Sequence, residues 1–108
     1  MSSGIQGISQ TGHLFPEPIA MLWFSAQWCG PCKQITPVIN MLEQAYAGTV
    51  RIVKIDVDEE VELAQQMGVR AVPTMILLDR NKRLDTHIGA GSFAELSQWL
   101  QSNITLIA

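Results

Sequence analysis

The chain has 108 residues, enough for one domain with a real core, and 47% apolar against 16% charged residues fits a compact fold rather than disorder. A formal net charge of −3 offers no cationic surface for a phosphate backbone, so no nucleic-acid partner is expected. No apolar run is long enough to cross a bilayer, and the start MSSGIQGISQTGHL lacks both the basic and the apolar parts of a signal peptide, so a cytoplasmic protein without a membrane partner is expected.

In chain order, residues 1–18 are poorly defined. Residues 4–8 read as a short edge strand, while Gly12, Pro16 and Pro18 preclude a long helix. Residues 19–26 form a continuous apolar run, the mark of a strand buried on both faces. A helix then starts near Pro31, whose missing N–H costs nothing in a first turn, and carries Ile35, Val38, Ile39, Leu42 and Tyr46 at helical spacing to about Gly48. Pro37 interrupts that helix and should bend it.

Residues 51–57 alternate, with Ile52, Lys54 and Asp56 on one side and Val53, Ile55 and Val57 on the other, which predicts a second interior strand. Residues 59–67 make a short helix stopped by Gly68. A hairpin follows over residues 75–78 and 84–88 with its turn at 79–82. Ser92 and Glu95 form a capping box for a last helix with an apolar face of Phe93, Leu96, Trp99 and Leu100. The order β-α-β-α-β-β-α predicts one α/β domain over residues 1–108. Its central mixed sheet has four to five strands flanked by helices, behind a short or irregular amino-terminal segment.

Cys29 and Cys32 are the only cysteines. A disulfide scaffold needs more cysteines at wider separations, so the pair reads as redox chemistry, as half a metal site or as an inert reduced pair. The metal reading lacks ligands: the histidines are His13 and His87, with no second C-x-x-C. The redox reading has a physical basis. Cys29 ends a strand-to-helix turn, where free N–H groups and the helix dipole stabilise a thiolate, and thiol pKa values in such settings fall from about 8.5 to roughly 3.5–7.5. Cys29 is therefore expected to be the exposed attacker, and Cys32, pointing to the core, the resolving thiol. Gly30 leaves the sulfur approachable and Pro31 sets the helix start. Trp28 is either a lip beside the sulfur or an aromatic at the core edge.

With these motifs in place the chain resembles the thioredoxin family over residues 19–100. The resemblance is carried by WCGPCK at 28–33, the proline at Pro37, KIDVD at 54–58 with a buried Lys54, GVRAVPT at 68–74, and IGAGS at 88–92. It implies the thioredoxin fold and a protein-disulfide reductase. No cofactor is needed beyond a redox-active Cys29–Cys32 disulfide, and no metal. It also implies a cis-Pro73 lying against the cysteines and pairing of the Val72 backbone with an extended substrate. Gly89 is either an open surface beside the pair or a plain turn. The implied partners are disulfide-containing proteins and a thioredoxin reductase or other electron donor, with the chain acting as a monomer. The alternative is a binding or chaperone-like module of the same fold in which the CGPC pair is secondary.

Two departures from the family pattern bear on function. The amino terminus is too short and broken for the usual first strand and helix, so one sheet face is expected to be thinly covered. Trp23 occupies the place where the family commonly carries a buried aspartate that accepts the resolving thiol's proton. An indole cannot accept a proton, so the resolving step is expected to be slowed, with water or Lys54 as partial substitutes and Lys54 turning to Asp56 or to solvent. Plain core filling is the other reading of Trp23.

Overall fold

The computed structural model describes residues 17–107, so the strand expected at residues 4–8 lies outside the described residues. Its elements are β1 (Ile19–Ser25), α1 (Gly30–Ala45), β2 (Val50–Asp56), α2 (Val61–Gln66), β3 (Thr74–Asp79), β4 (Lys82–Ile88) and α3 (Phe93–Ile107). This is the predicted order, and the four strands pair as β2-β1-β3-β4. β1 runs parallel to β2 and antiparallel to β3, and β3 pairs antiparallel with β4.

The continuous apolar run makes β1 a central strand because its side chains feed two cores. Ile19, Met21 and Trp23 join Ile35, Ile39 and Leu42 of α1 and Leu96 and Leu100 of α3 on one face. Leu22 and Phe24 join Ile55, Ile76 and Leu78 under Leu63, Ala64 and Met67, from α2 and its C-cap, on the other. Fully burying each such large side chain is worth about 1.5–3 kcal/mol. On this second face Leu22 and Phe24 are 0% exposed, while Ala20 and Val53 are only partly buried.

Several boundaries differ from expectation. β2 was expected to lie inside the sheet, but it forms an edge among the described residues, which suits the polar Arg51, Lys54 and Asp56 at its partly or fully exposed positions. The hairpin turn is tighter than residues 79–82, because Arg80 adopts φ 58° and lets Asp79 and Lys82 pair. Helix α1 ends at Ala45, where the Tyr46 N–H still reaches Leu42 O at 2.9 Å, and it continues through Pro37. The Tyr46 hydroxyl then ties α1 to α3 through Ser97 Oγ at 2.6 Å. The capping box forms as expected: Ser92 N–H donates to Glu95 Oε1 at 2.8 Å and Glu95 N–H to Ser92 Oγ at 3.1 Å. Among the described residues no helix is long and apolar enough to cross a membrane.

Candidate active site

The β1–α1 turn ends on Cys29, the N-cap of α1, with Pro31 in the first turn. Its extended backbone lets the side chain fold back over the helix start, where Cys29 Sγ accepts the Cys32 N–H at 3.1 Å. Cys29 and Cys32 are joined as a disulfide, with Cα atoms 5.3 Å apart. The expected contrast in exposure is absent, for Cys29 is 4% and Cys32 2% exposed. The reason is the capping geometry: a sulfur turned onto the helix and bonded to its partner cannot project into solvent. What separates the two sulfurs is electrostatic. Cys29 Sγ takes an otherwise free helix N–H at the positive end of α1, and Cys32 lies deeper in the helix.

Around the pair, Gly30 and Pro31 are exposed, and a Cβ built on Gly30 would meet nothing. Trp28 is 69% exposed, so it stands on the rim and not at the core edge. Its Nε1 donates to Asp58 Oδ2 at 2.8 Å. The Val72–Pro73 bond is cis, and Val72 packs on the core cluster that contains both cysteines. Gly89 sits behind this loop, its N–H donating to Pro73 O at 2.9 Å. Its φ of 97° is the reason for glycine there, since an added Cβ would have open space but a strained backbone.

Beneath the pair, Trp23 is 5% exposed, and among the described residues nothing accepts from its Nε1. The ring lines a cleft of about 450 Å³ together with Ser25, Gln27, Cys32, Lys33, Thr36 and Asp56. Lys54 is not the buried lysine that the resemblance implied. It is exposed, the second of its two expected placements, and turns not to Asp56 but to Asn40 Oδ1 at 3.3 Å and Glu43 Oε1 at 3.7 Å on α1. Its long flexible chain, on a strand with no outer neighbour among the described residues, reaches the polar side of the neighbouring helix. Among the described residues no group of three or more His, Cys, Asp or Glu is placed to hold a metal.

Sequence reasoning missed Asp58, which anchors Trp28, and placed Asp56 only beside Lys54. Alternation along DVD was the available signal, but it says nothing about which β1 residue stands opposite. The pairing of Ser25 with Asp56 brings the end of β2 level with the cysteine loop.

Comparison with known proteins bears directly on this site. The profile of the family described as Thioredoxin matches residues 13–102. Thioredoxin 1 of Nostoc sp. is 36% identical over 81 residues, 75% of this chain and 76% of that protein. The thioredoxin of Haemophilus influenzae is 39% identical over 84 residues, 78% of each chain. Among solved structures, a thioredoxin from Nicotiana alata superposes with a TM-score of 0.81 at 34% identity, covering 95% of this chain and 87% of that one. With so much of each chain shared and the cysteines already joined at the helix start, the chain belongs to the thioredoxin family, and its activity is that of a protein-disulfide reductase.

Proposed function

We propose that Cys29 is the attacking thiol, Cys32 the resolving thiol, and the second step the slower one. The supporting observation is the Cys32 N–H at 3.1 Å from Cys29 Sγ, which favours negative charge on that sulfur once the pair is reduced. The Cys29 thiolate attacks one sulfur of a substrate disulfide, displacing the other as a thiolate. Cys32 then attacks Cys29 Sγ, the bond to the substrate breaks, and the second substrate thiolate leaves. The protein dithiol has given up two electrons and the substrate disulfide has gained them.

Trp28, Val72 and Pro73, with Gly89 supporting the Pro73 loop from behind, serve as a docking surface for an extended segment carrying the target disulfide. Trp28 supplies apolar area, and the backbone of Val72, one residue before Pro73 and outside the β3 ladder, offers strand-like hydrogen bonds. Trp23 leaves Cys32 with no base touching it, which slows the resolving step. A thioredoxin reductase or equivalent donor restores the dithiol. The protein works as a monomer in the cytoplasm, where a reduced pair persists.

The test is insulin reduction by dithiothreitol with and without the protein. Acceleration is expected, together with covalent capture of substrate by the Cys32→Ser variant through Cys29. Capture through Cys32 in a Cys29→Ser variant instead would reverse the assignment, and no acceleration at all would reject it.

A further inference from the structure

Two observations on the floor of the site belong together. The deeply buried Trp23 indole presents an N–H that no described group accepts. The cleft it lines also takes in Cys32 from α1 and Asp56 from the end of β2. Asp56 arrives there through strand register. Trp23 pairs with Lys54 and Ser25 with Asp56, and alternate residues of a strand share a face.

A buried thiol must lose its proton before it can attack, so each polar group on the cleft wall has to be weighed as an acceptor. The Thr36 hydroxyl, which donates to Cys32 O at 3.0 Å, is too weak a base to take a thiol proton. The Lys33 ammonium and the Trp23 indole have only donors, and the Ser25 hydroxyl and Gln27 amide are feeble bases. Asp56 is the sole carboxylate on this wall. Its Oδ1 accepts the Asp58 N–H at 2.8 Å, which orients the group and leaves the second oxygen for another donor.

We propose that Asp56 accepts the proton of Cys32 through water in this cleft, with the Trp23 N–H holding that water in place. The cleft has room for several water molecules at about 30 Å³ each, and a water that accepts from Trp23 Nε1 and donates to Asp56 has the polar partners a bound water requires. The proposal rests on the reading in which Cys29 attacks and Cys32 resolves. In the relayed step the Cys32 thiol gives its proton to the water, which passes one to the Asp56 carboxylate. The resulting thiolate attacks Cys29 Sγ, the Cys29–Cys32 bond forms, and the substrate sulfur leaves with the bonding electron pair. Asp56 thus acts through the water as a positioning and relay residue.

The charged surroundings of Asp56 are compatible with this role. Lys33 of α1 lines the same cleft, and Lys54 of its own strand is turned away to Asn40 and Glu43. Asp58 and Glu59 line the adjoining hollow below Trp28, and β1 brings no titratable side chain to the cleft.

The experiment uses 5,5′-dithiobis(2-nitrobenzoate) as the disulfide. The first thionitrobenzoate released reports attack by Cys29, and the second reports resolution by Cys32. In Asp56→Asn, which keeps an oxygen for the Asp58 N–H, the first phase is expected to be little changed. The second is expected to slow on the order of 10²-fold near neutral pH. It should recover as pH rises towards about 8.5, where a thiol ionises unaided. Asp56→Glu should restore part of the loss. Removing a negative charge by itself favours the thiolate. A purely electrostatic or structural Asp56 therefore predicts an unchanged or faster second phase in Asp56→Asn, and that result overturns the proposal.

The unaltered protein gives a second measurement that does not depend on a variant folding. Its second phase, though slower than the first, should keep its rate well below the ordinary thiol range, and a rate that simply follows hydroxide concentration overturns the relay. Absence of the first phase in the Cys32→Ser variant would instead reject the attacker assignment and this proposal with it. An intact first phase combined with an Asp56-independent second phase rejects the relay alone.

Discussion

Trp28 on the rim and Trp23 on the floor bracket the same cysteine pair, yet their indole N–H groups fare in opposite ways. Trp28 is 69% exposed, where water could serve it, and still donates to Asp58 at 2.8 Å. Trp23 is 5% exposed, where a partner matters most, and has none among the described residues. Trp99 shows the ordinary solution, donating to Asp85 Oδ2 at 2.8 Å between α3 and β4. The open donor of Trp23 faces the cleft that also takes in Cys32 and the Asp56 carboxylate. The difference teaches that an exposed ring can be fixed by one carboxylate from the neighbouring strand end, whereas a buried ring at the cleft keeps its donor open.

Substitutions can break or sharpen this contrast. The largest effect is expected at Trp23. Trp23→Ala should cost about 3–5 kcal/mol in urea denaturation, because a large core ring leaves a cavity. Trp23→Asp shares that penalty but places a base next to Cys32, so in a folded variant the second thionitrobenzoate phase should accelerate by up to about 10²-fold. Equal or slower resolution in stopped-flow traces would mean that the floor tryptophan is core filling only. In the Trp23→Asp background, Asp56→Asn should cost far less than in the parent, since two groups serving one proton do not add.

At the rim the balance is reversed. Trp28→Ala should change stability by less than about 1 kcal/mol, as expected for an exposed side chain. It should raise KM for a protein disulfide while leaving the reaction with a small disulfide nearly intact. A loss shared equally by both substrates would show that Trp28 serves the chemistry and not docking. Asp58→Ala, which frees the indole without removing it, should reproduce a smaller version of the same KM effect.

The smallest effect concerns the Trp99–Asp85 pair. The Trp99 N–H, followed by the Thr86 N–H, holds the Asp85 carboxyl below its ordinary value of 3.8. A carboxyl depressed in the folded state contributes stability above its unfolded pKa and loses it as pH falls through the folded one. Trp99→Phe should therefore lower stability slightly at neutral pH, where the carboxylate's contribution is fully present, and its difference from the parent should shrink as pH falls below about 4. A difference in urea denaturation that does not shrink on acidification would show that the lost hydrogen bond does not act through Asp85 ionisation.

Much of this was legible in the chain. The β-α-β-α-β-β-α order followed from periodicity, and the capping box of Ser92 and Glu95 formed as read. The position of Cys29 at a helix start was visible because strand, loop and Pro31 are adjacent in sequence. Its burial was not, because that depends on a side chain folding back onto the helix it caps. The burial that the resemblance implied for Lys54 failed for a related reason: alternation identifies a side of the strand but not whether that strand lies at an edge among the described residues.

Local chemistry by itself therefore determined the redox pair, its helix start and the presence of an indole where no proton can be accepted. Those features rest on residues within a few positions of one another, whose sterics, dipoles and hydrogen-bonding capacity act through the local backbone. Only the tertiary structure decided what surrounds them. The parallel pairing of β1 with β2 set Ser25 opposite Asp56, placing one carboxylate in the cleft with Cys32 and another under Trp28. No turn links those two strands directly. Their register is set by how both pack their apolar sides against α1 and α2, and that is decided by the whole core at once.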